Sequence, residues 1–320
     1  MKQTMNCANT SPLCIALRSI WLRLAAATLL ATGLAGAPAH ADELTVKLSA
    51  PGNLATLQTA VTYTDIPNGF ARAHLMMDLI KPASDKPTPV IVFVSGNGWR
   101  SIDRAALVPQ LAPFAKAGYL VASIDYRIIG EATFPEPLKD VKSAIRFLRA
   151  NARKYNLDPD HIGIWGNSAG GQLSALAATT GDAREFENDK WPGVSSAVQA
   201  AVLWYAPSDL STLPNDPRYV ESAHMGLDVR DPANADQVRR ASPLAYVSAA
   251  TPPVLLVHGT ADKVVPIEHS TRLYEALIAA KVPSTLLKVD GAGHSFGQVS
   301  SQPEVMAQML AFFDRHLKKR

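Results

Sequence analysis

Cysteine is almost absent from this chain of 320 residues. Its two cysteines, Cys7 and Cys14, both lie within the first 41 residues, a segment that we expect to be removed. The mature chain would then contain no thiol and no disulfide. This excludes a cysteine nucleophile and a small fold held together by disulfides.

The first 41 residues have the pattern of a secretory signal peptide. Basic residues precede any acidic residue, an apolar run covers Leu24–Ala37, and residues 39–41 read Ala-His-Ala, a cleavage signal. We therefore predict a Sec-type signal peptide at residues 1–41, cleavage after Ala41, and a periplasmic or secreted protein. The apolar run is short for a bilayer span, and an uncleaved membrane anchor is the alternative interpretation.

Neither sign of charge dominates the predicted mature chain. Removal of Lys2, Arg18 and Arg23 from the 31 basic residues leaves 28, which equals the 28 acidic residues. A balanced charge gives no electrostatic footprint for nucleic acid or an anionic membrane. No later stretch is long and apolar enough to cross a bilayer, and no His/Asp cluster has the spacing of metal ligands. We expect no nucleic-acid or membrane partner, no metal and no cofactor.

The sequence does contain a regular alternation of strand and helix patterns. The β-branched run that opens Val90–Trp99 (VIVFVSGNGW) is typical of a strand buried on both faces. Further strand patterns cover Asp42–Val61, Ala73–Ile80 (expected at a sheet edge), Tyr119–Arg127, Ile162–Trp165, Ala200–Pro207, Val254–Asp262 and Ser284–Asp290. Helix patterns cover Ala105–Ala117, Leu138–Asn151, Gln172–Thr180, His269–Ala280 and the residues from about Glu304. This alternation predicts a single α/β domain at residues 42–320, with a doubly wound, mostly parallel sheet flanked by helices.

Two irregular segments interrupt the alternation, near residues 182–191 and 211–250. Both follow helices or strands at the side where a substrate would bind. We predict that they form a lid or a pocket wall, and ordinary surface loops are the alternative.

A serine stands between glycines where a strand pattern becomes a helix pattern, in Gly166-Asn167-Ser168-Ala169-Gly170. The G-x-S-x-G pattern at such a junction is typical of a tight turn that exposes the serine hydroxyl above a parallel sheet. The turn also places the Ala169 N–H at a helix N-terminus, where negative charge is stabilised. We predict that Ser168 is a nucleophile and Ala169 an oxyanion donor. A small residue in a packing turn is the alternative.

A serine hydroxyl needs a base to accept its proton, and the base needs an orienting acid. His294 lies in a glycine-rich loop after the last predicted strand, whereas the other histidines of the mature chain lie in or beside strands, helices or polar segments. Asp262 follows the preceding strand, and Asp209, one strand earlier, is a rival acid. A turn or helix-capping role is the alternative for Asp262. The chain order Ser168, Asp262, His294 is that expected of the predicted fold.

The loop after the strand at Val90 reads Ser95-Gly96-Asn97-Gly98-Trp99. Small residues let backbone N–H groups approach a developing oxyanion closely. We predict that Asn97 or Gly98 supplies the second oxyanion donor, and a plain strand-to-helix turn is the alternative. Trp99 and Phe296 adjoin these positions and are predicted to line the substrate pocket.

Together these motifs resemble the α/β-hydrolase superfamily, and more narrowly its acetyl-esterase and feruloyl-esterase-like branch, which is related to the hormone-sensitive-lipase group. The resemblance runs from about Val90 to Phe313 and rests on SGNGW, DYR, GNSAGG, VHGTADKVVP and GAGHSF. It implies a Ser-His-Asp esterase with Arg127 and Glu131 supporting the oxyanion loop. Ser95 and Asn97 depart from the usual H-G-G-G-W of that group, although backbone donation needs neither side chain.

We therefore expect a serine carboxylester hydrolase that acts on short-acyl or carbohydrate-linked esters through an acyl-enzyme. One alternative is a serine peptidase of the prolyl-oligopeptidase type, although the chain has no room for the large propeller of such enzymes. Another is a non-catalytic, ligand-binding relative, which could lack a member of the triad. The sequence leaves the acyl group, the alcohol and the oligomeric state open.

Overall fold

The structure is a computed structural model that describes residues 54–66, 73–188, 190–214, 220–294 and 302–318. The predicted signal peptide, the beginning of the first predicted strand and Phe296 lie outside the described residues. Within the described part, the elements follow the predicted alternation of strands and helices.

The described residues contain one eight-stranded sheet in the order β1-β2-β4-β3-β5-β6-β7-β8. The strands are β1 (Ala55–Asp65), β2 (His74–Pro82), β3 (Thr88–Val94), β4 (Leu120–Ile124), β5 (Leu157–Asn167), β6 (Ala200–Trp204), β7 (Val254–Gly259) and β8 (Ser284–Val289). β1 and β2 pair antiparallel, and β2 is antiparallel to β4. All other pairs are parallel, as predicted for a mostly parallel sheet.

Helices cover both faces of the sheet. They are α1 (Val108–Lys116), α2 (Glu136–Ala150), α3 (Ala152–Tyr155), α4 (Ser168–Thr180), α5 (Val220–Met225), α6 (Ala235–Arg240), α7 (Glu268–Ala279) and α8 (Pro303–Leu317). Side chains of α2, α4 and α7 pack in the core on one face, and those of α1 and α8 pack in the core on the other. The doubly wound α/β fold is thereby confirmed.

The continuous apolar run of β3 follows from this two-sided cover. Val90, Val92 and Val94 lie in the core beneath α2 and α4. Ile91 and Phe93 alternate with them and lie in the core beneath α1 and α8. All five side chains are buried, and full burial of each contributes about 1.5–3 kcal/mol.

The prediction that Ala73–Ile80 forms an edge strand is wrong, because β1 pairs with the outer side of β2. Leu75, Met77 and Leu79 of β2 are fully buried, as suits a strand with neighbours on both sides. The residues that occupy the edge are those of β1, which are mostly exposed.

The parallel register brings several strand ends together. β3, β5, β6, β7 and β8 all point the same way, so the loops that follow them meet at one edge of the sheet. In open α/β sheets this is the edge at which ligands bind. Among the described residues, Asn97, Gly98, Trp99, Asp262 and His294 lie in these loops, and Ser168 and Ala169 follow β5 directly at the start of α4.

Candidate active site

Ser168 occupies a sharp turn between β5 and α4. β5 ends at Asn167, α4 begins at Ser168, and Ser168 has a φ of +51°. The left-handed region costs a non-glycine residue about 1–2 kcal/mol, which the surrounding packing must offset. A Cβ at Gly166 would lie 2.3 Å from the Gly170 carbonyl oxygen, and one at Gly170 would lie 2.1 Å from the Val94 carbonyl oxygen. The flanking glycines therefore let the turn lie against β3.

A chain of hydrogen bonds joins three of the predicted residues. Ser168 Oγ lies 2.9 Å from His294 Nε2, and His294 Nδ1 lies 2.7 Å from Asp262 Oδ2. The Asp262 side chain is fully buried, whereas 16% of the His294 side chain is exposed. This geometry orients the imidazole so that Nδ1–H donates to the carboxylate and Nε2 faces the serine hydroxyl.

The Asp262 carboxylate is ionised and held from several directions. Oδ1 accepts hydrogen bonds from the backbone N–H groups of Val264 and Val265 at 2.9 and 3.0 Å. Oδ2 faces His294 and also lies 3.3 Å from His258 Nε2. Burial by itself would raise the pKa of Asp262, but hydrogen bonds from His258 and His294 outweigh it and lower that pKa well below its ordinary value.

Asp209, the rival acid, has a different role in the structure. Its Oδ1 accepts hydrogen bonds from Ser211 N at 3.0 Å and Ser211 Oγ at 2.7 Å. Its Oδ2 lies 3.8 Å from Arg272. Asp209 therefore caps a short 3₁₀ turn at 210–212, and the carboxylate beside His294 is Asp262.

The loop after β3 lies directly against the serine turn. The Gly96 N–H donates to Asn167 Oδ1 at 3.1 Å, and a Cβ at Gly96 would lie 1.9 Å from the Asn167 carbonyl oxygen and 3.0 Å from the Ala169 nitrogen. Asn97, Gly98 and Ala169 line the same cavity as Ser168. Ala169 is in the first turn of α4, where backbone N–H groups have no acceptor within the helix. The three predicted oxyanion donors thus surround one space beside the serine.

Neighbouring elements hold this loop through its backbone. Tyr126 Oη donates to the Ser95 carbonyl at 2.8 Å, and the Ile129 N–H donates to the Trp99 carbonyl at 2.8 Å. Arg127, which the resemblance places in support of the loop, instead donates to Asp140 and Glu136 on α2.

Glu131 supports the loop indirectly. Its Oε2 accepts a hydrogen bond from the Ile128 N–H at 2.9 Å. This bond closes the turn from which the Ile129 N–H reaches Trp99. The loop can carry Ser95 where related esterases usually have His, because the contact with Tyr126 uses the backbone oxygen of this residue.

A cavity of about 590 Å³ opens above Ser168. Its described lining residues are Gly96, Asn97, Gly98, Trp99, Arg100, Asn167, Ser168, Ala169, Tyr205, Pro207, Leu213, Pro214, Val220, Glu221, Lys263, Val264, Val265 and His294. Trp99, which is predicted to line the substrate pocket, is among them. Its Nε1 donates to Gln172 Oε1 at 3.2 Å, and its ring stacks on His224 at 4.5 Å. Complete burial lowers the pKa of His224 to about 3, so this ring is neutral.

The two irregular segments differ in their contacts. Leu213, Pro214, Val220 and Glu221 of the second segment line the cavity. Carbonyls of the first segment accept hydrogen bonds from Arg146 on α2, at 2.9 Å for Asn188 and 2.5 Å for Trp191. A lid role for either segment stays a prediction.

Two residues beside the site were not singled out as site residues from the sequence. Tyr205 follows β6 with a φ of +36°, and its ring meets the His294 ring edge-on at 4.6 Å. Burial raises the pKa of Tyr205, so its phenol is neutral. His258, the histidine beside Asp262, lies four residues before it in VHGTAD. In the sequence, Tyr205 and His258 share one signal, which is a position at the end of a predicted strand.

Within the described ranges, no helix is both long enough and apolar enough to span a bilayer. The same residues contain no group of three or more His, Cys, Asp or Glu side chains placed to hold a metal ion.

A mostly parallel eight-stranded sheet with a serine at the β5–α4 turn defines an α/β-hydrolase. The chain belongs to the BD-FAE family, whose sequence profile matches residues 77–277. The resemblance to α/β-hydrolase esterases related to the hormone-sensitive-lipase group is confirmed.

Proteins similar to this chain carry esterase names. Esterase LipC of Mycobacterium tuberculosis (strain ATCC 25618 / H37Rv) is 34% identical over 68% of this chain and 55% of its own length. A structure titled "Truncated form of carbohydrate esterase from gut microbiota" has a TM-score of 0.75 and 32% identity, over 82% of this chain and 97% of that one.

An acetyl ester-xyloside bifunctional hydrolase from Caldicellulosiruptor lactoaceticus has a TM-score of 0.66 and 27% identity, over 80% of this chain and 95% of that one. The chain spans little more than half the length of LipC. These comparisons support a carboxylic ester hydrolase.

Proposed function

We propose that this protein is a serine carboxylester hydrolase that works through an acyl-enzyme on Ser168. The observation that carries the proposal is the hydrogen-bond chain from Ser168 Oγ through His294 to Asp262, at 2.9 and 2.7 Å. Such a chain activates a hydroxyl that is otherwise a poor nucleophile at neutral pH.

In the first half of the reaction, Ser168 Oγ attacks the ester carbonyl carbon while His294 Nε2 takes the hydroxyl proton. Asp262 stabilises the resulting imidazolium through the Nδ1–H bond. The carbonyl oxygen becomes an oxyanion, which the backbone N–H groups of Ala169 and of Asn97 or Gly98 bind. His294 then gives its proton to the departing alcohol as the carbon–oxygen bond breaks.

In the second half, water takes the place of the alcohol. His294 Nε2 accepts a proton from the water as its oxygen attacks the acyl carbon, and the same N–H groups bind the second oxyanion. The bond to Ser168 Oγ breaks, His294 returns the proton to the serine, and the free acid leaves.

For the substrate, we propose short-acyl or carbohydrate-linked esters. Similar structures are titled as a carbohydrate esterase and an acetyl ester-xyloside hydrolase. The cavity volume of about 590 Å³ lies within the range for small-molecule sites, about 300–1,000 Å³. Its floor is polar at Ser168, and apolar walls at Trp99, Leu213 and Val264 suit the acyl or alcohol part.

Hydrolysis of p-nitrophenyl acetate, butyrate and decanoate by the purified full chain tests this proposal, with Ser168→Ala as the matched variant. We expect activity that falls as the acyl chain lengthens and that is lost in the variant. Folded wild-type protein without turnover on all three esters would contradict the esterase proposal.

Two further assays, of peptide amide hydrolysis and of ligand binding, separate the two alternatives. Turnover of peptide amides with no preference for esters would favour a peptidase of the prolyl-oligopeptidase type. Ligand binding without turnover would favour a non-catalytic relative, which the intact Ser168–His294–Asp262 chain argues against.

We also propose that the protein is exported and that cleavage follows Ala41. The basis is the signal-peptide pattern of residues 1–41. Expression in a bacterial host followed by fractionation and N-terminal sequencing tests it. A mature N-terminus at Asp42 in the periplasm or medium is expected, and cytoplasmic protein that retains Met1 would contradict the proposal.

A further inference from the structure

We propose that His258 is a positioning residue, which fixes the Asp262 carboxylate so that Asp262 orients His294. This inference rests on the proposed function of the Ser168–His294–Asp262 chain. The sequence gives His258 no catalytic role, and its side chain is fully buried beneath the site.

The contacts of His258 assign its protons. Nε2 lies 2.8 Å from the Val265 carbonyl oxygen and 3.3 Å from Asp262 Oδ2. Both oxygens can only accept, so the ring proton is on Nε2 and is shared between them. Nδ1 lies 2.7 Å from Ser270 Oγ, and the Ser270 hydroxyl donates to it. With the proton on Nε2 and the hydroxyl on Nδ1, each polar atom that the ring contacts has a partner.

This arrangement completes the hydrogen bonding of the buried acid. Oδ1 of Asp262 accepts from two backbone N–H groups, and Oδ2 accepts from His294 and His258. The two N–H groups on Oδ1 hold one oxygen of the carboxylate, and His258 adds a second contact on Oδ2 beside the bond from His294. Rotation of the carboxylate would break contacts on both oxygens. We infer that His258 holds Oδ2 at its 2.7 Å distance from His294 Nδ1.

The titratable groups around His258 come from three elements. Asp262 follows its own strand β7, Tyr205 follows β6 with its ring centroid 6.4 Å away, and His269 lies on α7 beside Ser270. Burial raises the pKa of Tyr205 and lowers the pKa of His269 to about 4, so both are neutral near pH 7. Asp262 is the one charged group among them.

The test compares three variants of the full chain with the wild type. His258→Leu removes the Nε2 donor and keeps a side chain of similar volume. His258→Gln keeps an N–H donor near the same position. His269→Leu is the matched control, because His269 is another buried histidine in the same region and does not contact Asp262.

We expect His258→Leu to lower kcat for p-nitrophenyl acetate about tenfold, which is the loss expected for one hydrogen bond to a charged group. KM should stay within about twofold, because His258 does not line the cavity. The acidic limb of the pH profile of kcat/KM should move to lower pH, since a carboxylate that is no longer held beside Nδ1 stabilises the His294 imidazolium less. His258→Gln should restore kcat to within about threefold of the wild type.

A second readout does not need turnover. The Nδ1 proton of His294 gives a downfield proton NMR signal when it is bonded to the carboxylate. We expect this signal to shift or broaden in His258→Leu and to stay unchanged in His269→Leu. An inactive wild type would contradict the proposed function, and the NMR comparison would still decide the positioning role.

Two results would overturn the inference. The first is a folded His258→Leu with wild-type kcat, pH profile and NMR signal. The second is an equal change in His269→Leu. If His258→Leu does not fold, Ser270→Ala decides. A fall in kcat of about threefold with KM unchanged supports the inference, and wild-type kcat with an unmoved acidic limb contradicts it.

Discussion

Replacement of Asp262 by Asn removes the charge and leaves the shape of the acid loop. The amide oxygen of Asn can still accept from the backbone N–H groups of Val264 and Val265, which lie 2.9 and 3.0 Å from Oδ1. The amide nitrogen would then take the place of Oδ2, 2.7 Å from His294 Nδ1 and 3.3 Å from His258 Nε2. An NH₂ group there can only donate.

The consequence for the base is specific. A donor facing Nδ1 favours the His294 tautomer that carries its proton on Nε2, which cannot accept the proton of Ser168. The same exchange of tautomer in a Ser-His-Asp protease costs about 10⁴ in kcat. Because the Asp262–His294 distance here is that of a strong charge-assisted bond, we expect a loss of about 10³–10⁴ in kcat with little change in KM.

The assay measures kcat and KM for p-nitrophenyl acetate, with thermal unfolding to confirm the fold. Asp209→Asn is the matched control, because Asp209 also follows a strand of the same sheet but contacts Ser211 and Arg272. It should retain wild-type kcat. A folded Asp262→Asn with kcat within tenfold of the wild type would refute the assignment of Asp262 as the orienting acid, as would a large loss in Asp209→Asn.

Three further predictions concern the loop, a buried lysine and the cavity entrance. A Cβ at Gly96 would overlap the carbonyl that precedes the nucleophile, so Gly96→Ala should lower kcat at least about 10²-fold. Gly193→Ala adds a Cβ in open space at a φ of +77°, so this control should lose some stability and keep wild-type kcat. Burial lowers the pKa of Lys142 from 10.5 to about 8 in the folded protein. Between pH 8 and 10.5 the unfolded chain therefore binds more protons than the folded one. The free energy of unfolding should rise with pH across this range, by up to about 3 kcal/mol. Denaturant titrations should lack this rise in Lys142→Met, and equal slopes in both proteins would contradict it. Arg100 and Lys263 line the cavity, and within the described ranges neither side chain forms an ion pair. The double change to Gln should therefore lower kcat/KM about tenfold for p-nitrophenyl succinate at low salt and leave p-nitrophenyl acetate unaffected.

The sequence predicts much of the fold because its parallel strands are buried on both faces. Val90–Val94 is apolar at every position, and only a strand with helices above and below needs that pattern. The edge-strand error at Ala73–Ile80 has a related cause. β1 pairs antiparallel with β2 and takes the edge position. The sequence pattern of a strand does not show which other strand pairs with it, so it could not place β1 outside β2.

The three residues of the hydrogen-bond chain could be predicted because each follows a different parallel strand. Strand ends converge at one edge, so chain order and loop position are enough to find Ser168, Asp262 and His294. Asp209 remained a rival to Asp262 in the sequence, since both occupy strand-end turns. Only the three-dimensional register shows which carboxylate reaches the imidazole.

Supporting contacts were harder to predict, because they use backbone atoms or buried side chains. Tyr126 holds the oxyanion loop by donating a hydrogen bond to the backbone carbonyl of Ser95. Every residue has such a carbonyl, so no sequence motif reveals this contact. His258 and Tyr205 lie in strand-end segments whose apolar composition indicates packing. Their proximity to Asp262 and His294 depends on side-chain directions that the sequence pattern leaves open.

The most direct test of the central claim is to identify the residue that becomes acylated or phosphylated. The full chain is incubated with an organophosphate ester such as paraoxon, and the adduct is located by intact-mass measurement and peptide mapping. We predict one adduct per chain, on Ser168, with esterase activity lost in proportion to labelling and with no adduct in Ser168→Ala. An adduct on another residue, or full labelling of Ser168 with activity unchanged, would contradict the account.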